Sequence, residues 1–260
     1  MITYKVRHKG YVVNVYIPEQ ATGSRSILLP GLPMSMNINA IVDSLLKNGS
    51  TVYYPYYSGS YDSGGTFSPK NSIKDIKSFF ELAKKEKLTE LYFGKTLSLP
   101  PASKIALIAQ SFGAVVALHG HSNLFDKVIL LSPALLYNVE EIGGEKGREY
   151  GAQMESLMHL LKNAHPYTYR IGLGISLKRF LFGRNPLSRE KAVIRALESL
   201  VCPTRIVHGL HDSSVPVEIS KRIQEKIKNS QLQWEYVEAG HSLSSYPSGI
   251  LNSLAKFAAE

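Results

Sequence analysis

Cysteine is almost absent from this 260-residue chain, in which Cys202 is the only one. A single cysteine excludes an intramolecular disulfide and fits a reducing compartment. The first residues, Met1 to Arg7, contain no apolar signal core, and no later apolar run approaches the length of a transmembrane helix. We therefore expect a cytoplasmic protein without a membrane span, and the sequence leaves its oligomeric state open.

The sequence also lacks the usual patterns of metal and phosphate sites. It has no His-x-x-x-His and no paired cysteines, so neither a metal ion nor another cofactor is predicted. A Gly/Ser-rich stretch runs from Tyr56 to Thr66, but no Lys-Ser or Lys-Thr follows it. A phosphate-binding loop needs that lysine, so this stretch is not predicted to hold phosphate.

Acidic residues are outnumbered, since 21 Asp and Glu against 30 Lys and Arg give a net charge of +9. Such a basic balance can indicate a nucleic-acid partner. However, the chain has no arginine-rich block interleaved with aromatic residues, and its lysines are spread along predicted helix surfaces. Examples are Lys74, Lys77, Lys84, Lys85 and Lys87. We therefore predict no nucleic-acid partner and leave an anionic substrate open.

With 44% hydrophobic residues, the chain can bury one core. Alternating apolar and polar positions from Thr3 to Pro18 predict an antiparallel hairpin. Buried strands and amphipathic helices then alternate, which is typical of an α/β protein with a mostly parallel sheet and helices on both faces. Strands are predicted at 26–29, 51–55, 127–133 and 232–237, and helices at 37–48, 71–87, 217–229 and 250–259.

One stretch, Lys104 to Leu118, joins a buried strand to a small-residue helix around Ser111. Ala109 and Gly113, two residues before and after this serine, are small enough to allow a very tight turn. A strained strand-to-helix turn of this kind lifts a serine Oγ above the sheet edge, where it can act as a nucleophile. Taken alone, the stretch also allows an ordinary loop serine.

Two later segments each end in a residue that could assist a serine nucleophile. Thr204 to Pro216 is predicted to form a buried strand, a Gly turn and an exposed acid, Asp212, and a short strand before Ser242 ends in His241. The chain order Ser, Asp, His is that of the α/β-hydrolases. From about Ser26 to its C-terminus the chain resembles this superfamily, and more narrowly its carboxylesterase, monoacylglycerol-lipase and serine-aminopeptidase-like branch.

The resemblance implies the α/β-hydrolase fold, with Ser111 as nucleophile, His241 as general base and Asp212 as the acid that orients the histidine. In this superfamily one oxyanion donor is a backbone N–H in the corner after the first parallel strand. Here that corner is Pro30-Gly31-Leu32-Pro33, so the donor would be Leu32, because Pro33 has no N–H. The second donor would be the N–H of Phe112.

The regular alternation of strands and helices is interrupted between Leu135 and Val201, where the superfamily carries its lid. We therefore expect an α/β-hydrolase core at 1–134 and 202–260 and a helical lid or cap at 135–201. Aromatic residues of this insertion could line a substrate pocket for an acyl chain, or they could only pack the lid. These aromatic residues are Tyr167, Tyr169, Phe180 and Phe182.

The predicted function is that of a serine hydrolase that cleaves carboxylic esters or thioesters of short to medium acyl chains through an acyl-enzyme intermediate. The expected partner is a small-molecule ester or amide substrate. An aminopeptidase-like serine peptidase is the first alternative, because such relatives share the fold and the triad. A non-catalytic binding protein on the hydrolase fold is the second.

Overall fold

The computed structural model describes residues 2–34, 37–120, 122–136, 139–164, 168–171, 187 and 189–260. Its strands are β1 (Thr3–His8), β2 (Tyr11–Tyr16), β3 (Ser24–Leu29), β4 (Thr51–Pro55), β5 (Lys87–Thr89), β6 (Thr96–Ser98), β7 (Lys104–Gln110), β8 (Lys127–Leu131), β9 (Thr204–Gly209) and β10 (Leu232–Val237). Its α-helices are α1 (Asn39–Lys47), α2 (Pro69–Ala83), α3 (Phe112–His119), α4 (Val139–Ile142), α5 (Gly144–Ala164), α6 (Glu190–Glu198), α7 (Val217–Gln224) and α8 (Ser248–Ala259).

Eight of the strands form one sheet in the order β1-β2-β4-β3-β7-β8-β9-β10. The strands from β4 to β10 in this order pair in parallel, and the β1–β2 hairpin pairs antiparallel at one edge. This arrangement confirms the predicted fold class and the predicted N-terminal hairpin. Because parallel strands end at the same edge of a sheet, the loops after β7, β9 and β10 lie at the same edge.

The continuous apolar character of β7 follows from its central position. Residues 105–110 of this strand are all buried, because helices cover both faces of the sheet. One group consists of α1 and α8, which pack on each other, α1 also on β4 and α8 also on β3, and a second group consists of α2 and α3, which both pack on β3. Cys202, two residues before β9, is buried.

The region around β5 and β6 differs from the prediction. Helix α2 begins at Pro69, because the Ser68 hydroxyl accepts a hydrogen bond from the N–H of Asn71 at 3.1 Å and caps the first turn. The helix ends at Ala83 rather than Lys87, since Lys87 already belongs to the β5–β6 hairpin. That hairpin protects the edge of the sheet, where β1 would otherwise present unpaired backbone groups.

The predicted surface lysines Lys74, Lys77, Lys84, Lys85 and Lys87 are all exposed. Within the described parts of the chain, none of the helices combines the length and the apolar character needed to cross a lipid bilayer.

Candidate active site

Ser111 occupies the turn between β7 and α3 with a backbone conformation that is rare for a residue with a side chain. Its φ is 51° and its ψ is −115°. A positive φ costs free energy in a non-glycine residue, so the surrounding structure must hold it. The Ser111 N–H donates to the carbonyl oxygen of Leu131 at 3.0 Å, and the Ser111 carbonyl oxygen accepts from the N–H of Ala114 at 3.1 Å.

Two glycines close to Ser111, Gly31 and Gly113, are required by this tight turn. A Cβ added to Gly113 would lie 2.7 Å from the Leu29 carbonyl oxygen and 2.8 Å from that of Pro30. A Cβ added to Gly31 would lie 3.2 Å from the Cβ of Ser111. Because Gly113 has no side chain, helix α3 can lie close to the corner after β3. Because Gly31 has none, that corner can lie close to Ser111.

Asp212 follows β9, and its side chain is fully buried, whereas the sequence predicted an exposed acid. Its Oδ1 accepts hydrogen bonds from the N–H groups of Ser214 at 2.9 Å and Val215 at 2.8 Å. Its Oδ2 lies 2.8 Å from Nδ1 of His241 and 3.3 Å from Nε2 of His208. The turn residues after Gly209 look solvent-exposed in the sequence, but the two histidines enclose the carboxylate.

His208 is the residue near the acid whose contacts the sequence did not reveal. It is fully buried in β9, and its Nε2 lies 3.0 Å from the carbonyl oxygen of Val215. A carbonyl can only accept, so Nε2 carries the proton and Nδ1 accepts from the Ser220 hydroxyl at 2.7 Å. The protonated Nε2 of His208 therefore lies between the Val215 carbonyl oxygen and the Asp212 carboxylate.

Two effects act on the pKa of Asp212. Burial, the larger single cause, disfavours the carboxylate, but the hydrogen bonds from His208, His241 and the Val215 N–H together outweigh it and hold the pKa below its usual range. A group whose pKa is lower in the folded state stabilises the fold above its unfolded value, and this contribution disappears as the pH falls toward the folded value.

We therefore expect the free energy of unfolding to fall with decreasing pH below about 4, the usual range of an unfolded aspartate. The free energy of unfolding of Asp212→Asn should depend less on pH in that window, because the asparagine amide does not titrate. Urea unfolding of both proteins between pH 3 and pH 6 measures the difference. Parallel curves for the two proteins would contradict the assignment of a depressed pKa to Asp212.

His241 lies in the loop after β10, and its side chain is partly exposed. Its Nδ1–H donates to Asp212, which leaves Nε2 of the neutral ring as an acceptor. The backbone of His241 is held as well, because Nε2 of Gln110 donates to its carbonyl oxygen at 3.1 Å. The loops of Asp212 and His241 can approach each other because Gly209 has no side chain. A Cβ at this position would overlap the carbonyl oxygen of Ala239.

Ser111 and His241 line the same cavity, which has a volume of about 550 Å³. One part of its wall comes from the corner after β3 and from the loop after Asp212, including Leu32 and Val215. The opposite part comes from α5, which lies in the predicted insertion and contributes Tyr150, Gln153, Met154 and Leu157. Gln153 also donates to the carbonyl oxygen of Ser213 at 2.9 Å and so ties α5 to the loop of the acid.

The two predicted oxyanion donors belong to the corner after β3 and to the start of α3. Leu32 lines the cavity, and Phe112 is the first residue of α3, with its buried ring 5.8 Å from that of Tyr57. A helix N-terminus carries partial positive charge, which favours a developing anion. Groups of three or more His, Cys, Asp or Glu side chains able to hold a metal ion are absent from the described part of the chain.

The predicted aromatic pocket is described only at Tyr169. This residue is buried and is not among the described residues that line the cavity. Tyr167, Phe180 and Phe182 lie outside the described residues. The sequence analysis missed the lining residues of α5, although the apolar positions of that helix in the insertion were a usable signal.

Comparisons with known proteins identify the fold. No family model and no curated protein matches the sequence. Among solved structures, an esterase from Exiguobacterium antarcticum has a TM-score of 0.64 at 18% identity, and the match covers 100% of both chains. An esterase from Pyrococcus furiosus reaches a TM-score of 0.68 at 18% identity over 98% of this chain and 89% of its own.

A monoacylglycerol lipase from Paleococcus ferrophilus is also similar, with a TM-score of 0.63 at 16% identity over 100% of this chain and 99% of its own. The chain has the α/β-hydrolase fold. In this fold the loops after the parallel strands carry the functional groups, which is where Ser111, Asp212 and His241 lie. The structural similarity establishes the shared fold. At identities this low it does not establish the reaction, which depends on the residues of the site itself.

Proposed function

We propose that the protein is a serine hydrolase that cleaves carboxylic esters or thioesters of short to medium acyl chains. The main support for this proposal is the arrangement of three side chains. Ser111, on a strained turn, shares a cavity with His241, and Nδ1 of His241 is hydrogen-bonded to the buried carboxylate of Asp212. This arrangement supports Ser111 as nucleophile, His241 as general base and Asp212 as the acid that orients the histidine.

In the proposed reaction, Oγ of Ser111 attacks the carbonyl carbon while Nε2 of His241 takes the hydroxyl proton. The carbonyl oxygen becomes an oxyanion, which the N–H groups of Leu32 and Phe112 stabilise. The C–O or C–S bond then breaks, and His241 returns the proton to the leaving alcohol or thiol. A water molecule, activated by the same histidine, hydrolyses the acyl-enzyme and restores Ser111.

The cavity wall favours an uncharged substrate over a peptide with a free amino terminus. Apart from His241, no side chain among its described lining residues is acidic or basic. An aminopeptidase must bind the ammonium group of its substrate, and a cation buried without a carboxylate partner is costly. Leu32, Met154 and Leu157 instead offer apolar surface, which suits an acyl chain.

The insertion at 135–201 is proposed to act as a lid, because α5 supplies one wall of the cavity. The domain division into a core of 1–134 and 202–260 and a lid of 135–201 is part of the same proposal. A lid excludes water from the reacting groups and shapes the acyl site, so specificity would reside in α5.

The experiment that tests the proposed function compares p-nitrophenyl esters with aminoacyl-amide substrates on the same preparation. We expect ester hydrolysis and little amide hydrolysis, because the described lining residues offer no carboxylate for a substrate ammonium group. Preference for the amides would favour the peptidase alternative. Absence of turnover on every ester, thioester and amide would favour a non-catalytic binding protein.

We expect kcat/KM to rise from acetyl to butyryl esters. Each additional buried methylene contributes about 0.8 kcal/mol, or close to fourfold in affinity. Leu157→Trp should reduce the gain for the longer chain by filling the cavity. Leu160→Trp is a matched control, because Leu160 lies on the same helix but is 52% exposed and does not line the cavity. A flat or falling profile in the unmodified protein would reject the acyl site.

A further inference from the structure

The corner that holds Leu32 is attached to the insertion through residues 168–171, here called the docking segment. This segment pairs with the loop after β4. The N–H of Tyr61 donates to the Thr168 carbonyl oxygen at 2.8 Å, and the N–H of Phe67 donates to the Arg170 carbonyl oxygen at 2.8 Å. The Arg170 guanidinium also donates to the carbonyl oxygen of Tyr61 at 3.0 Å and to that of Ser63.

At the centre of the docking segment, Tyr169 reaches the corner after β3. Its hydroxyl oxygen accepts a hydrogen bond from the N–H of Met34 at 2.8 Å, and both residues are buried. Met34 is two residues after Leu32. A buried N–H without an acceptor is strongly disfavoured, so the hydroxyl holds this end of the corner in place.

A second tyrosine holds the other end of the same corner. The Tyr57 hydroxyl donates to the carbonyl oxygen of Pro30 at 3.0 Å. Leu32 therefore lies between two backbone groups that are each fixed by a tyrosine, one in the loop after β4 and one in the docking segment. The corner has no strand or helix pairing of its own between Pro30 and Met34.

Aromatic packing connects this arrangement to the second oxyanion donor. The Tyr169 ring packs edge-on against Phe67 with centroids 4.9 Å apart, and Phe67 lies 6.0 Å from the ring of Phe112. Tyr57 contacts Phe112 as well, at 5.8 Å. One cluster of four rings thus touches the segments that carry Leu32 and Phe112.

We infer that Tyr169 is a positioning residue for the oxyanion hole: by holding Met34 it sets the direction of the Leu32 N–H. This inference rests on the proposed function, because it takes Leu32 as an oxyanion donor. It assigns Tyr169 a role in transition-state stabilisation instead of contact with the substrate. According to the same inference, the oxyanion hole is complete only when the docking segment is paired with the loop after β4.

The test is Tyr169→Phe, which removes the accepting oxygen and keeps the ring. We expect kcat to fall about 10- to 100-fold, less than the loss caused by deleting a donor, with KM nearly unchanged. Tyr53→Phe is the matched control, because Tyr53 is an equally buried tyrosine in β4 that does not line the cavity. The control should keep the kcat of the unmodified protein.

A trifluoromethyl ketone with the acyl chain of the substrate gives a second readout, because it adds to a catalytic serine as a tetrahedral oxyanion. Its inhibition constant should rise for Tyr169→Phe by the same factor by which kcat falls. A purely structural role would lower the melting temperature and leave both values unchanged. An unchanged kcat, or a change confined to KM, would overturn the inference.

Arg170→Gln provides an independent variant if Tyr169→Phe does not fold, since Arg170 is only partly buried. It loosens the pairing of the docking segment, so kcat should fall and the inhibition constant should rise together. Unchanged values would overturn the inference. Failure of the proposed function is distinguishable, because the unmodified protein would then show no ester turnover and no inhibition by the ketone.

Discussion

Replacing Ser111 by alanine is expected to lower ester turnover by about 10⁴ to 10⁶, the range seen when other enzymes with this triad lose their nucleophile. The physical reason is that the acyl-enzyme can no longer form, so hydrolysis depends on direct attack by water. The fold should be retained, since Ser111 is held through its backbone groups. Hydrolysis of p-nitrophenyl butyrate by the purified variant measures the loss.

Covalent labelling tests the same assignment without a substrate. A fluorophosphonate should add one label to the unmodified protein, on the peptide that contains Ser111, and none to Ser111→Ala. Ser132→Ala is the control, because Ser132 also ends a strand with a positive φ of 41° but does not line the cavity. Labelling at another residue, or undiminished labelling of Ser111→Ala, would remove Ser111 from the mechanism.

Asp212→Asn is expected to lower turnover by about 10⁴ with the fold retained. All four groups around the Asp212 carboxylate are donors: two backbone N–H groups on Oδ1, and the two histidines on Oδ2. An asparagine must direct its NH₂ group at one pair of them. If that pair is the histidines, Nδ1 of His241 becomes an acceptor and Nε2 keeps the proton, so the ring cannot act as a base.

The matched control for this variant is Asp62→Asn. Asp62 lies in the loop after β4, where its carboxylate pairs with the exposed Lys5 at 2.8 Å. Its loss should leave kcat close to that of the unmodified protein, because exposed ion pairs contribute little. Nearly full activity in Asp212→Asn, measured beside a normal circular dichroism spectrum, would place the acid elsewhere and make Asp62 the next candidate.

The position of the candidate nucleophile, on a strained turn between a strand and a helix, could be predicted from the sequence because the requirements of such a turn are local. A tight turn needs small residues at fixed distances along the chain, and Ala109 and Gly113 satisfy this around Ser111. The alternation of buried strands and helices then predicts a parallel sheet, whose strands all end at one edge. Asp212 and His241 were assigned from the chain order Ser, Asp, His and the resemblance to the α/β-hydrolases, and both follow strands that end at this edge.

The environment of each group depends on contacts between distant parts of the chain. Asp212 was predicted to be exposed from its turn residues, yet His208 and His241 enclose it. The aromatic character of Tyr169 left open whether it lines a substrate pocket or packs the lid, and its hydroxyl in fact accepts a hydrogen bond from Met34, which is 135 residues away. Aromatic composition is the same for a ring that lines a cavity and for one that packs beside it.

The sequence by itself therefore determined the α/β fold class and the N-terminal hairpin, because both follow from the periodicity of apolar residues. The choice of Asp212 and His241 beside Ser111 came from the resemblance to the α/β-hydrolases. Only the tertiary structure decided which residues form the cavity wall. The spacing of apolar residues in α5 predicts an apolar face, but only the fold brings Tyr150, Met154 and Leu157 to the cavity that Ser111 and His241 also line. The pattern of neighbouring residues along the chain does not predict such long-range packing.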